Sequence, residues 1–471
     1  MKILQVIHDF LPHHNAGSEI YTYNLSRELA KRHDVTVFCT ECVPDKPQYE
    51  LMEREFGGLR ILEAVHNQAF ETFERTYEDP EMDRLFRRIL EREKPDVVHI
   101  QHLQYHSINY VREAHRRDIP VLYTLHEYCL ACPRKGLMLR EDLSLCPEVV
   151  VDRCADCVAN DSMAPVVIGR TRARFDERMK ALVPARLRRM VTKRLVKYGF
   201  MKPPGPAQPA GRDFASEIRV RRDAVLDRCA EVDRFIAPSR FLRSQFVKFG
   251  IDPDRIVFSD YGFVDEGYRE IERTKSDKVR FGFVGTLVEF KGAHLIVDAF
   301  HRLPENAAAE LRIYGDLGTF PPYTQRLEKL AVRESCRLMG RFENHRVAEI
   351  LADLDVLIVP SLWFENSPLT IHEAFLAGIP VITTDLGGMA DLVEDDKNGL
   401  RFERGNPEDL AEKMRRLIED PELLARLAPT GDEVKAIEDD ARDHERWYAE
   451  LIEARRGAGT GAGTGVGGGG A

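Results

Sequence analysis

The chain has 471 residues, 43% of them apolar and 31% charged, and a formal net charge of −10. That length exceeds one ordinary core and implies two or three domains, and the acidic balance argues against a nucleic-acid-binding protein. No apolar run approaches the ~18 residues of a membrane span, and the opening MKILQVIHDF is too short in its apolar part for a secretion signal, so a cytoplasmic protein is expected. Its nine cysteines then stand as thiols or metal ligands.

The N-terminal half alternates strand and helix. ILQVI is a continuous apolar run, suited to a strand buried on both faces. The loop DFLPHHNAGSE follows, and IYTYNLSRELAKR has helical periodicity. DVTVFCT, PDVVHIQ and IPVLYTLHE supply further strands. Strands alternating with helices imply a parallel sheet with right-handed crossovers. The pattern breaks between about 127 and 230, where a cysteine-rich stretch, a basic stretch and the linker PPGPAQPAG follow one another. It resumes with VDRFIAPS and RIVFSDYGF and reaches a charged joint, ERTKSDK.

From residue 279 a second series begins, with VRFGFVG, LRIYG, CRLMG, VLIVPS and PVITT as strands. The fold class is therefore α/β, two Rossmann-like domains facing across a cleft. The expected boundaries are 1–272 for the first domain, with a cysteine-rich insertion at 127–160 and a basic one at 161–212. The second domain covers 273–434, a helix at 435–456 packs back on the lobes, and 457–471 is a Gly-rich disordered tail. Open parallel sheets bind ligands at the carboxyl ends of their strands, so the cleft is the expected site.

The stretch WFENSPLTIHEAFLAGIP sets two carboxylates, Glu365 and Glu373, eight residues apart around a helix start. Ser367 is the expected N-cap and Pro368 the first helical residue. The free N–H groups near Leu369 and Thr370 then offer a phosphate site, with the helix dipole behind them. Carboxylates accept hydrogen bonds from sugar hydroxyls. The arrangement therefore suits a hexose at Glu365, a diphosphate at the helix end and a ribose at Glu373. Two exposed, idle carboxylates are the plainer alternative.

This stretch resembles the E-x7-E motif of retaining glycosyltransferases of the GT-B fold, family 4 type. TTDLGGMADLVEDDKNGLRF, VGTLVEFKGAHLIVDAF, HDFLPHHNAGSEIYTYNLSREL and APSRFLRSQFVKFGI resemble other segments of that family, in the expected order. The resemblance implies a nucleotide-diphosphate sugar donor on the C-terminal lobe and a glycan or lipid-linked acceptor on the N-terminal lobe. It implies catalytic roles for His126, Lys291 and Glu365, with Lys291 neutralising the departing diphosphate. It implies donor contacts from Gly17, Gly285, Thr286, Lys291, Glu365, Ser367, Leu369, Thr370 and Glu373. No metal or other cofactor is expected in the chemistry, and the product would be a surface polysaccharide or glycolipid. Two positions depart from the family pattern: Ala16 stands where a first loop glycine is usual, and Thr286 where an arginine often follows the strand glycine. Arg341 or His13 could replace that charge. Thr286 also favours a rival reading, a non-catalytic sugar-nucleotide or glycan-binding scaffold in a polysaccharide-synthesis complex.

Five cysteines, Cys129, Cys132, Cys146, Cys154 and Cys157, fall within 29 residues. Two C-x2-C pairs separated by a loop have zinc-like spacing. The expected ligands of a structural zinc are Cys132, Cys146, Cys154 and Cys157, with Cys129 or His126 spare. A subset of family 4 sequences resembles this pattern. Residues 169–202 carry twelve Lys/Arg against Asp176 and Glu177, with apolar residues at helical spacing. Such a segment suits an anionic membrane surface, and a solvated basic face is the alternative. No nucleic-acid partner is expected.

Overall fold

The computed structural model describes residues 1–160, 166–167, 212–268 and 271–461. The basic segment 169–202 and the linker after it lie outside the described residues. The N-terminal sheet is built from β1 (Lys2–Val6), β2 (Asp34–Glu41), β3 (Leu51–Phe56), β4 (Leu59–Val65), β5 (Val97–Ile100), β6 (Val121–Thr124), β7 (Arg234–Ala237) and β8 (Ile256–Phe258). Their order across the sheet is β8-β7-β6-β5-β1-β2-β4-β3. All pairs are parallel except β3 on β4. That hairpin went unread in the sequence because LMEREF alternates only weakly. Gly57 and Gly58 form its turn at φ 60° and 80°, a conformation other residues resist.

The C-terminal sheet holds β9 (Val279–Val284), β10 (Ala309–Tyr314), β11 (Cys336–Gly340), β12 (Val356–Val359), β13 (Val381–Thr384) and β14 (Gly399–Phe402). Their order is β11-β10-β9-β12-β13-β14, all parallel, the doubly wound Rossmann order with its switch point between β9 and β12. Strand β14, GLRF, is an addition to the five strands read from the sequence. The central strands are fully buried: Val97–Ile100, Val121–Thr124 and Val356–Val359 have no exposed residue, which is why they read as continuous apolar runs.

After β8 the chain passes to the second lobe. Arg273 and Thr274 already bond to it, through Leu354 O, Asp355 and Ala352 O. The last helix spans Ile437–Gly461. It returns to the first lobe, where Tyr21 donates to Asp440 at 2.8 Å and His33 meets Glu445 at 2.9 Å. Arg455 bonds to Asp233 at 2.9 Å, and Tyr448 is fully buried against His99. The helix corrects the expected tail at 457–461, which continues helical: once a helix is nucleated, each further residue needs only one more backbone bond, even at glycine. One apolar cluster crosses the seam between lobes, joining Ile3, Tyr21 and Ile236 to Ile371, Met389 and Trp447.

Part of the insertion is also helical. Val151–Asn160 and Phe214–Cys229 form helices beside the first lobe, so Cys154 and Cys157 lie one helical turn apart. Among the described residues, no helix is long and apolar enough to cross a membrane.

Candidate active site

The carboxyl ends of β9 and β12 flank the switch point. β9 ends at Val284 and runs into Gly285-Thr286, whose threonine is exposed. A single turn, Glu289–Lys291, follows and ends on Gly292 at φ 77°. A Cβ at Gly292 would lie 2.2 Å from the Pro360 carbonyl oxygen, so only glycine lets this turn press against the end of β12. That approach carries Lys291 Nζ to 2.5 Å from Glu365 Oε1. The same oxygen accepts from Ser361 Oγ and Trp363 Nε1, each at 2.7 Å. The Lys291 ammonium also stands 5.4 Å from the Trp363 ring centre. Glu365 is only 6% exposed, yet this oxygen has three donors, one of them charged. Ser361 and Trp363 were not singled out in the sequence; a Trp two residues before a buried acid was the available signal.

The helix after β12 spans Leu369–Leu376, with Pro368 as its N-cap residue and no side chain capping it. This corrects the expected cap: Ser367 precedes it and donates instead to Asp260 at 2.7 Å, beside His372 Nε2 at 2.9 Å. The helix Gly17–Ala30 likewise starts without a side-chain cap, at Ala16. These two free N-termini meet across the cleft. A Cβ built on Gly17 would touch Leu369 at 3.4 Å. Two helix ends with unsatisfied N–H groups at one place make a strong anion site.

Glu373 lies in the second turn of the Leu369–Leu376 helix, a half-buried residue whose carboxyl group takes a hydrogen bond from the Tyr268 hydroxyl. Burial pushes this carboxyl up to about 7, with the Tyr268 bond opposing. Tyr268, on the linker, was also missed by sequence reasoning.

His126 follows β6. Its Nδ1 lies 2.6 Å from the Tyr261 hydroxyl and its Nε2 2.7 Å from Gln101 Oε1. The Gln101 oxygen can only accept, so Nε2 carries the proton and Nδ1 accepts from Tyr261. Burial, with His102 and His444 nearby, pushes the ring down to about 3, so it is neutral. His126 does not touch Lys291 or Glu365. Asn366 connects them: its Nδ2 donates to Tyr261 at 3.2 Å and to Leu125 O at 3.1 Å, and its Oδ1 accepts from Ser239 at 3.0 Å. Asn366 thereby ties the second lobe to three points outside it. Of the two cations considered for the Thr286 position, His13 pairs with Glu41 at 3.0 Å, and Arg341 is exposed after β11, two strands from β9.

The four cysteines Cys132, Cys146, Cys154 and Cys157 are neighbours. Burial and the other three thiols push Cys154 up to about 12. None of the nine cysteines is in a disulfide. The groups of three or more metal-capable residues whose ligand atoms lie within 4.8 Å of one another, among the described residues, do not include this set.

Residues 264–434 match the family described as glycosyl transferases group 1, and residues 16–145 match Glycosyltransferase Family 4. A D-inositol 3-phosphate glycosyltransferase of Streptomyces bingchenggensis is 30% identical over 215 residues, covering 41% of this chain and 47% of that protein. The sulfoquinovosyl transferase SQD2 of Arabidopsis thaliana is 31% identical over 142 residues, covering 30% of this chain and 26% of that protein. The chain thus spans about half or less of these curated relatives' length. Among solved structures, Anabaena Alr3699/HepE in complex with UDP and glucose superposes with a TM-score of 0.60 at 14% identity, over 95% of this chain and 99% of that one. Sucrose-phosphate synthase of Thermosynechococcus elongatus does so with a TM-score of 0.64 at 16% identity, over 96% and 99%. The two Rossmann lobes, closed by a returning C-terminal helix, therefore form the GT-B fold of glycosyltransferases.

Proposed function

We propose that the chain is a retaining glycosyltransferase that moves a hexose from a nucleotide-diphosphate sugar to a glycan or lipid-linked acceptor. The observation that carries this reading is the meeting of two uncapped helix N-termini at Gly17 and Leu369, with the Lys291–Glu365 pair just before the second helix and Glu373 within it. The diphosphate takes the N–H groups of both helix ends, the hexose hydroxyls bond Glu365, and the ribose hydroxyls bond Glu373. Lys291 then passes from Glu365 to the departing diphosphate, where a compact ammonium stabilises developing charge. The leaving phosphate helps to take the acceptor proton on the same face of the sugar, so no protein nucleophile is required. Neutral His126, held from both ring nitrogens, shapes the acceptor side rather than acting as a base. A surface polysaccharide or glycolipid product, and contact of residues 169–202 with an anionic membrane, fit this reading.

A bound donor stabilises the fold by about 2.7 kcal/mol at a hundredfold excess over Kd. One of the UDP-, GDP- or ADP-sugars is expected to raise the melting temperature, and Glu373→Ala to lose that rise. A well-folded wild type that no sugar nucleotide stabilises would move the scaffold reading ahead.

The Glu373 carboxyl also sets a pH dependence. Its ionised form accepts ribose hydroxyls best, so donor affinity should strengthen as pH rises through about 7. Stability runs the other way. The folded value lies above the unfolded one, so the contribution is present below the unfolded carboxylate range and is lost as pH rises through about 7. Glu373→Gln should flatten the affinity profile and stabilise the free protein above pH ~7 by on the order of 1–3 kcal/mol. Calorimetric titration and melting between pH ~6 and ~8 check both; a parallel pH profile in the variant would remove Glu373 from the site.

The cysteine insertion is read as a structural zinc site, in which four thiolates would close a tetrahedral ion and pin the insertion beside the cleft. Zinc analysis of protein purified without chelator should find one ion that Cys154→Ser removes. Zinc-free protein with an intact melting transition would discard this site.

A further inference from the structure

The N-terminal wall of the cleft holds a second polar cluster, made by the loop after β1 and the start of the Gly17–Ala30 helix. His8 Nε2 lies 3.6 Å from Glu19 Oε1 and 3.8 Å from Asp9 Oδ2. The three ligand atoms lie within 4.8 Å of one another. His14 Nδ1 is 3.8 Å from the same Asp9 oxygen. These separations are too long for hydrogen bonds. They approach the spacing of ligands on one ion, since bonds of about 2.0–2.2 Å put neighbouring ligand atoms about 3.0–3.6 Å apart.

Three features show that the cluster lacks a partner. Among the described residues the His8 ring makes no hydrogen bond: Nδ1 is buried without one, and Nε2 is too far from both carboxylates. Glu19 is only 3% exposed and, among the described residues, accepts one hydrogen bond, from Ser18 Oγ to Oε2 at 2.8 Å, which leaves Oε1 to the cluster. Among the described residues, no lysine or arginine pairs with Asp9 or Glu19; their ion pairs there are with His8 and His14. Behind His14, Glu41 Oε1 stands 3.4 Å from Nε2. A carboxylate on the far ring nitrogen is the usual backing of a metal-bound histidine.

We propose that His8, Asp9 and Glu19 bind a divalent first-row transition-metal ion such as zinc or manganese, with His14 at the edge of the set beside Asp9. Mixed imidazole and carboxylate donors favour such ions over calcium or magnesium. His14 is the most exposed of the four and opens the way in. Glu19 is two residues from Gly17, where the helix ends meet across the cleft. If the donor site is as proposed above, the ion brings positive charge to the diphosphate from the N-terminal lobe, while Thr286 brings none from the other.

The test uses Co2+ as the probe, on the full chain without donor. Wild type should gain melting temperature with Co2+, and Asp9→Asn and Glu19→Gln should lose that gain while keeping the wild-type melt in its absence. Glu41→Gln should weaken binding by about 10–100-fold. The cobalt spectrum should show visible ligand-field bands without intense thiolate charge transfer. No stabilisation by Co2+, or stabilisation that survives Glu19→Gln together with strong thiolate bands, overturns the site; the second result would put the ion on the cysteines. UDP should then tighten Co2+ binding, and Co2+ should tighten UDP binding by the same factor. A cobalt site indifferent to UDP overturns the role toward the diphosphate alone. UDP binding with no cobalt site overturns the metal and leaves the donor reading standing.

Discussion

Lys291→Ala is expected to lower kcat by about 100- to 1000-fold, the cost of removing one preorganised charge-stabilising group. Lys291 lies at the switch-point end of β9 because Gly292 lets its turn press on Pro360. In the free protein its charge is spent on Glu365 at 2.5 Å. The loss should fall on kcat more than on KM, because the charge on the departing diphosphate grows only toward the transition state. Lys291→Met keeps an unbranched stem of similar bulk without the charge and should lose as much, which separates charge from packing. Steady-state kinetics with the donor found by thermal shift decides the matter. Wild-type kcat in either variant would remove Lys291 from the chemistry.

Gly388→Ala is the substitution expected to cost the most stability. A Cβ there would lie 1.3 Å from the Asn366 carbonyl oxygen and 3.0 Å from that of Glu365. Both are backbone atoms, and Gly388 N–H donates to Glu365 O at 2.9 Å. The loop cannot yield without moving Glu365 and breaking the three Asn366 bonds across the seam. Overpacking alone costs about 3 kcal/mol at the upper end of its usual range. A lower melting temperature and loss of donor stabilisation together are expected. Gly457→Ala meets nothing within 4 Å and lies in the last helix, so it is the control that should leave donor stabilisation unchanged and the melting temperature unlowered. A Gly388→Ala protein with a wild-type melt would show that this loop is looser than its packing implies.

What the sequence by itself determined is the alternating α/β order, the buried parallel strands and the placing of Glu365, Glu373 and Lys291. Each rests on local rules: continuous apolar runs for Val97–Ile100 and Val356–Val359, turn glycines, and a helix start after a strand. The N-cap was misplaced by one residue because Ser367 had two possible partners. A cap bond is local, but the Asp260 that wins it is 107 residues away. The hairpin of β3 and β4 was hidden because its pairing, rather than its periodicity, makes it a strand pair.

Tertiary structure alone decided the rest. It joined Lys291 to Glu365, 74 residues apart, and set Gly17 against Leu369 from the other lobe. It gave Asn366 its place as the tie across the seam, and Tyr268 its bond to Glu373. It also gathered His8, Asp9, His14 and Glu19, which the sequence offered only as a polar loop. The reason is physical. Strand and helix formation follow from neighbours along the chain, whereas the charge state and partner of a buried group depend on what the fold brings beside it and how far it excludes water.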